Sequence, residues 1–437
     1  MLNKIKIIGA GLAGSEAALQ LADKGWQVHL YEMRGKKQTP AHQTDLCAEL
    51  VCSNSLKSKL PSTSSGLLKA EINLLGCKLL YLAEQTSVEA GNALAVDREI
   101  FSQIVTQRIK SHPNIRYFNE EVCSLDDELT ILATGPLSSD NITAELLKTI
   151  GQNHLYFFDA IAPVVSTESI NMEIAFKKSR YDDVNDDYIN CPFNKEEYLR
   201  FVDALNSGDK HEAKEFENEF FRDPSYRFYE NCMPIEELAR RGTDTLRFGV
   251  MRPVGLEDPS TGRRPYALIQ LRIENKEKTA YNLVGCQTML KYGAQKDIFR
   301  LIPGLEQAEF VRYGSIHRNT YINTPAVCNS DLSLRNKSNI FLAGQLSGVE
   351  GYVESIFSGL LIAKIINREL KSLPHTTISG QLWRYLITEN KHFLPMNSNF
   401  GLLPALDKKT GKKERKNAYS ERALSDLIQF LKLILKE

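Results

Sequence analysis

KIKIIGAGLAGSEAALQLADKGWQVHLYE, residues 4–32, decides the fold. KIKIIG (4–9) reads as a short buried strand that runs into a glycine turn. An amphipathic helix follows from about Ser15 to Lys24, and a second strand spans Trp26 to Glu32. Together they make a β-α-β unit of about 30 residues. Gly9-Ala10-Gly11-Leu12-Ala13-Gly14 lies between strand and helix, the context that a G-x-G-x-x-G fingerprint requires. Gly9 permits the tight turn, Gly11 lets the backbone approach a pyrophosphate, and Gly14 allows close helix–sheet packing. The helix N-terminus then faces the phosphates. Glu32 ends the second strand about 20 residues on, where a carboxylate holds ribose hydroxyls. A plain strand–helix turn accounts for the glycines alone; strand, helix and acid together point to a dinucleotide.

Two further segments favour FAD over NAD. LATG (132–135) ends a strand at an edge of the same domain, with Thr134 and Gly135 at its turn. FLAGQLSG (341–348) brings a late strand back before a helix, with Gly344 and Gln345 at the join. A positive helix end stabilises an electron-rich reduced flavin.

Outward from this core, residues 33–65 break the pattern with Gly, Pro, Ser, Thr and Asn, and read as a long functional loop. A helix is expected near 97–110 and a strand at 115–118. After residue 150, strand-like runs (LYFFDAIAPVV, MEIAFKK, YALIQLRI, AYNLVGC) enclose an acid-rich stretch, 181–230. The fold expected is α/β: a Rossmann-like FAD-binding domain split in sequence (1–150 and 331–437) around an inserted α+β domain (151–330). The tail carries PMNSNFGLLP and a last helix, 419–436.

Composition agrees with a globular chain of two domains: 437 residues, 42% apolar and 25% charged. No apolar run approaches the roughly 20 residues of a membrane span. The N-terminal apolar stretch lacks a secretory cleavage site, so the expected compartment is the cytoplasm. The eight cysteines form no C-x-x-C pair and no zinc-type spacing with His, so neither a disulfide framework nor a metal site is expected. With 54 basic and 54 acidic residues the net charge is zero, which limits nonspecific grip on a polyanion. The charge is not mixed, however. Arg240, Arg241, Arg247, Arg252, Arg263, Arg264 and Arg272 gather where the only acids are Asp244, Glu257 and Asp258. Lys408, Lys409, Lys412, Lys413, Arg415 and Lys416 form a second basic run. Either stretch can neutralise phosphates or simply face solvent.

Two cysteines have polar surroundings. Cys52 lies in ELVCSNSLK (49–57), and Cys232 in NCMPIEE (231–237). Pro234 suits the first position of a helix, which leaves Cys232 just outside a helix N-terminus, where a thiol loses its proton more readily. On residue type alone, a buried structural cysteine remains the commoner reading for both.

LYEMRGKKQTPAHQTDLCAELVCSNSLKS (30–58), the segments 230–271 and 281–325, LAGQLSGVEGYVESIFSGLLIA (342–363) and MNSNFGLLPALDKK (396–409) closely resemble one family. It is the folate- and FAD-dependent tRNA (uracil-5-)-methyltransferase family, TrmFO, and the resemblance runs from first strand to last helix. The family is similar in its flavin domain to the larger tRNA wobble-uridine modification protein GidA, but the thiol motifs match the methyltransferase. The resemblance implies that methylenetetrahydrofolate supplies a one-carbon unit, that the flavin carries it and supplies reducing equivalents, and that NADPH or NADH re-reduces FAD. The product it implies is 5-methyluridine in the T-loop of tRNA.

Chemistry makes the thiols intelligible. C5 of uracil is a poor nucleophile until a thiolate adds to C6; a second group must then take the C5 proton. Cys232 matches the family thiol chosen here for C6, and Cys52 the one chosen for acid/base work. Gly351 and Tyr352 match family positions at the flavin, where a phenol can stack on the isoalloxazine or the pterin; Glu354 and Ser355 either bond the flavin or cap the helix. The target uridine must be extruded from its loop, which requires a gap between the domains. Three readings follow: the tRNA methyltransferase, with the same chemistry on 23S ribosomal RNA as its nearest rival; an FAD oxidoreductase acting on a small metabolite; or a non-catalytic flavin-binding scaffold for RNA modification.

Overall fold

The computed structural model describes residues 3–39, 41–151, 155–180, 186–210, 233–390, 393–407, 411 and 414–434. Six strands form the first sheet: β1 (Lys4–Ile8), β2 (Gln27–Tyr31), β3 (Ile115–Phe118), β4 (Thr130–Leu132), β5 (Ser333–Leu334) and β6 (Lys337–Leu342). Their order is β5-β6-β4-β1-β2-β3, parallel throughout except for the β5–β6 pair. Ile5, Ile7, Ile131 and Leu132 are fully or nearly fully buried, as a parallel sheet covered on both faces demands. β4 is not an edge strand: it lies between β1 and β6, so the LATG turn stands at the middle of the sheet's carboxyl end.

Helix α1 (Leu12–Asp23) begins three residues before the expected Ser15. Gly11 is its extended N-cap, and the Ala- and Leu-rich sequence beyond it propagates a helix readily. Helix α2 (Tyr352–Ile366) packs directly on α1. Gly359 makes that approach possible, because a Cβ there would strike the Ala13 backbone. A mid-helix glycine costs about 1 kcal/mol relative to alanine, and the close packing offsets it.

The second sheet takes all its strands from residues 164–312 and is antiparallel. At its centre Tyr188–Phe193, Ala267–Ile273 and Ala280–Leu283 lie side by side. The amphipathic helix Lys195–Ser207 packs with this sheet's core, started by a reciprocal Asn194–Glu197 capping box. A separate two-stranded ribbon, Leu155–Ile161 against Ser315–Tyr321, joins the regions. Other differences from expectation are local. The 33–65 excursion holds a strand, Ser55–Ser58, paired with Ala93–Val96, and is followed by helices Ser64–Leu74 and Lys78–Gln85. The last helix, Arg415–Ile434, starts four residues early. Among the described residues no helix is long and apolar enough to cross a membrane.

Candidate functional site

The carboxyl ends of β1, β2, β4 and β6 open on a cleft of about 980 Å³, part of it continuous with solvent. Gly9, Gly11, Leu12, Ala13, Glu32, Thr134, Gly135, Gly344, Gln345 and Tyr352, all singled out by sequence, line it. Its glycines divide the work as expected. Gly9 has φ +100, and a side chain there would meet the Ala133 carbonyl. A Cβ on Gly14 would fall on the Gly9 carbonyl oxygen, so the helix sits directly on the strand end. A Cβ on Gly11 would meet nothing within 4 Å. No side chain caps the first turn of α1, whose N–H groups are therefore available to an anion. Open space over Gly11 at an uncapped helix N-terminus fits the pyrophosphate of a dinucleotide.

Glu32 anchors the cleft. One carboxylate oxygen accepts from the Ala10 N–H at 2.9 Å and from Arg34 Nη2 at 3.0 Å. The other accepts from the Arg34 N–H at 3.1 Å and pairs with Arg34 Nε at 3.0 Å. Burial alone would raise the pKa of this carboxyl, but the Arg34 charge and hydrogen bonds hold it below its ordinary value. Arg34 also reaches Glu49 at 3.4 Å and is itself buried. Sequence reasoning passed over Arg34; its only trace there is a basic residue two places after the acid. Because four donors already occupy the carboxylate, a ribose hydroxyl must share or displace one of them.

The second constellation surrounds Cys52, which is half-buried. The Tyr352 hydroxyl accepts from the Cys52 N–H at 2.7 Å and from the Ser53 N–H at 3.2 Å. The ring that the sequence casts as a stacking surface thus also ties down the thiol loop, and burial pushes its phenol pKa up. From the second sheet, Arg312 Nη2 lies 3.4 Å from the Cys52 carbonyl and 3.7 Å from Glu274. Arg98 pairs with the same Glu274 and donates to the Leu50 carbonyl at 2.7 Å. The Nε atoms of Arg98 and Arg312 are buried without a hydrogen-bond partner among the described residues. Burial, then the nearby Arg98 charge, push the Arg312 pKa down to about 10.

Lys69 buttresses this loop from behind, donating to the Leu56 carbonyl at 2.6 Å and the Ser65 carbonyl at 3.2 Å. Burial pushes its pKa down from 10.5 to about 8. Between these values the unfolded chain binds more protons, so stability rises with pH. Lys69's titration contribution is complete above pH 10.5 and is lost as pH falls through about 8. The urea midpoint of the wild type, minus that of Lys69→Met, is expected to increase from about pH 8 to about pH 10. A difference constant across that window would contradict the buried placement.

Gly351 caps α2 with φ +118, and the space where its side chain would stand is taken by Glu354 and Lys57. Glu354 neither caps the helix nor faces the cleft: it is fully buried and accepts from Ser398 N–H at 2.9 Å and Ser398 Oγ at 2.7 Å. That bond fastens the segment carrying the MNSNF motif to α2. Ser355 does line the cleft. Cys232 lies outside the described residues. Pro234, expected at the first helical position, is instead the N-cap of helix Ile235–Arg240. Cys47, Cys77, Cys191, Cys286 and Cys328 are buried with their thiol pKa values pushed up, Cys47 to about 11 and Cys328 to about 12.

The arginine cluster divides. Arg272 is buried, with Nε donating to Asn54 Oδ1 at 3.0 Å, so it ties the second sheet to the loop that carries Cys52 and does not face a ligand in solvent. Arg240 is bound by Glu237 at 2.7 and 3.0 Å. Arg252, Arg263 and Arg264 are exposed. Of the Lys-rich tail, Lys408, Lys409, Lys412 and Lys413 lie outside the described residues. Among the described residues no cluster of His, Cys, Asp or Glu suits a metal ion.

Residues 4–374 match the family described as glucose inhibited division protein A. The chain is 50% identical over 437 residues to the methylenetetrahydrofolate--tRNA-(uracil-5-)-methyltransferase TrmFO of Bacillus subtilis, covering 98% of this chain and 99% of that one. It is 49% identical over 435 residues to the protein of that name from Halalkalibacterium halodurans, with 98% of each chain covered. The same name belongs to a Koribacter versatilis relative at 52% identity over 436 residues, with 97% of each covered. Among solved structures, Aquifex aeolicus GidA aligns with a TM-score of 0.66 at 13% identity, over 99% of this chain and 73% of that one, a likeness of fold.

Proposed function

The chain belongs to the TrmFO methyltransferase family within the wider GidA family, and from that premise we propose that it methylates C5 of the T-loop uridine of tRNA, with methylenetetrahydrofolate as one-carbon donor, FAD as bound cofactor and NAD(P)H as reductant. One observation supports this reading above the others. The loop of the family thiol Cys52 is tied by Tyr352 to the wall of the dinucleotide cleft, so a thiol and a cofactor site adjoin. An oxidoreductase acting on a small metabolite has no use for that thiol, and a scaffold has no use for the tie.

Bound FAD would supply the reducing equivalents that turn a methylene adduct into a methyl group. The residues that would hold it are Gly9, Ala10, Gly11, Leu12, Ala13 and Gly14 at the pyrophosphate, Glu32 with Arg34 at the ribose, and Thr134, Gly135, Gly344, Gln345, Gly351 and Tyr352 along the remainder. Cys232 is proposed as the nucleophile at uracil C6, which raises the electron density at C5. Cys52 is proposed as the base that removes the C5 proton. Arg98, Arg312 and Glu274 are positioning residues: they fix the Cys52 loop from outside the flavin sheet. The proposed boundaries remain 1–150, 151–330 and 331–437, and the proposed compartment the cytoplasm.

The test is label transfer from methylenetetrahydrofolate, with NADPH, to unmodified tRNA or to 23S ribosomal RNA. Label at uridine C5 of tRNA is the expected result. Label confined to ribosomal RNA moves the substrate, and label in neither sinks the reading.

A further inference from the structure

On the second domain a hydrophobic ring stands in the open on an arginine-rich segment. Phe248 ends the short helix Thr245–Phe248, and at 75% exposure it is the most exposed large hydrophobic side chain among the described residues. Val250 and Val254 beside it are exposed as well. Single exposed hydrophobics are ordinary on a protein surface. This one differs in how it is backed.

Leu246, fully packed in the domain core, roots the helix from below. The Arg247 guanidinium lies 5.3 Å from the Phe248 ring centroid and 4.1 Å from that of Tyr266. Arg247 Nε donates to the Tyr266 carbonyl at 3.0 Å, which fixes the cation between the two rings. The Leu268 N–H bonds the Met251 carbonyl at 3.0 Å, so segments 245–252 and 263–268 run side by side. Exposed Arg252 follows Met251, and exposed Arg263 and Arg264 precede Tyr266 on the neighbouring segment; among the described residues none of the three makes an ion pair. Among the described residues of this segment, Asp244 pairs with Arg247 at 3.9 Å, Asp258 accepts from Ser260 at 2.7 and 2.8 Å, and Glu257 is exposed.

An exposed aromatic face backed by a guanidinium, on a segment whose exposed arginines make no ion pair among the described residues, is complementary to an unstacked base between phosphates. An apolar protein partner would leave those arginines uncompensated. Extrusion of a target uridine also leaves a neighbouring loop base without its stacking partner. We propose that Phe248, backed by Arg247 and Tyr266, is the stacking platform for an unpaired loop base of the RNA, with Arg252, Arg263 and Arg264 neutralising the phosphates around it. This rests on the tRNA methyltransferase reading.

The full-length flavoprotein and unmodified tRNA test it. Phe248→Ala is expected to raise the Kd for tRNA about tenfold, in the range measured for loss of one base–aromatic stack. The rise should appear in KM, with kcat nearly unchanged and NADPH reduction of the flavin without RNA at the wild-type rate. Phe248→Trp should restore affinity, which a loss of packing would not allow. The slope of log affinity against log salt should be unaltered in Phe248→Ala. It should fall by about two in the combined variant Arg252→Gln, Arg263→Gln, Arg264→Gln. Equal tRNA affinity for wild type and Phe248→Ala, with wild type methylating tRNA, overturns this proposal alone. Wild-type protein that neither binds nor methylates tRNA overturns the functional reading with it.

Discussion

Cys52→Ala is expected to lower tRNA methylation about a thousandfold, within the range a positioned acid/base group contributes, while leaving flavin content unchanged. The separation follows from how the loop is held. Main-chain groups make several of its ties: the Cys52 N–H donates to Tyr352, the Cys52 carbonyl faces Arg312, and the Leu50 carbonyl accepts from Arg98. Alanine keeps these main-chain ties and removes the sulfur. Label transfer from methylenetetrahydrofolate measures the first quantity, and visible absorbance per polypeptide the second. A covalent RNA adduct is expected to survive in Cys52→Ala and vanish in Cys232→Ala; the reverse pattern exchanges the two roles. Methylation within tenfold of wild type would remove Cys52 from the chemistry. Bleaching of the purified variant would instead make it a structural residue of the cofactor cleft.

The features that sequence reading recovered are those carried by contiguous residues. Strand, turn, helix and acid of the first unit lie within residues 4–32, and each is placed by its neighbours in the chain. What it missed depends on residues far apart. β4 pairs on one side with a strand about 120 residues earlier and on the other with one about 200 residues later, so its central place could not be read locally. Helix Ser64–Leu74 opens on Ser64-Ser65-Gly66, which reads as a turn. Gly66 is there because the Leu60 carbonyl lies where its Cβ would be. Arg272 looked like an RNA contact by charge alone. Its strand, Ala267–Ile273, is buried at every position except Gln270, so the side chain had no solvent to enter and found Asn54. Arg98, Glu274 and Arg312 converge from three segments on the Cys52 loop, and nothing in their spacing announces it.

Gly11→Ala and Gly14→Ala are expected to weaken flavin binding by two different routes, and the difference locates the cofactor. At Gly14 a Cβ has nowhere to go, because the Gly9 main-chain oxygen occupies its place. α1 must lift from the strand, and overpacking of this kind costs about 1–3 kcal/mol or more. The protein without flavin should then unfold at lower urea, and flavin loss would follow from the damaged turn. At Gly11 the backbone has φ −69, which alanine adopts freely, and its Cβ would project into open space. The flavin-free form should therefore keep its urea midpoint: alanine is the poorer N-cap, but it also restricts the unfolded chain, and the two effects oppose. Only a ligand lying against Gly11 would meet the methyl group. A steric cost of about 1–3 kcal/mol there lowers affinity from severalfold to more than a hundredfold. Flavin titration of the apoprotein beside its urea curve separates the cases. Gly11→Ala with wild-type flavin affinity would mean that the pyrophosphate does not approach this turn, whatever the fingerprint says. Weakened binding with an unmoved midpoint requires that it does, since among the described residues no atom beyond the chain neighbours lies within 4 Å of that Cβ.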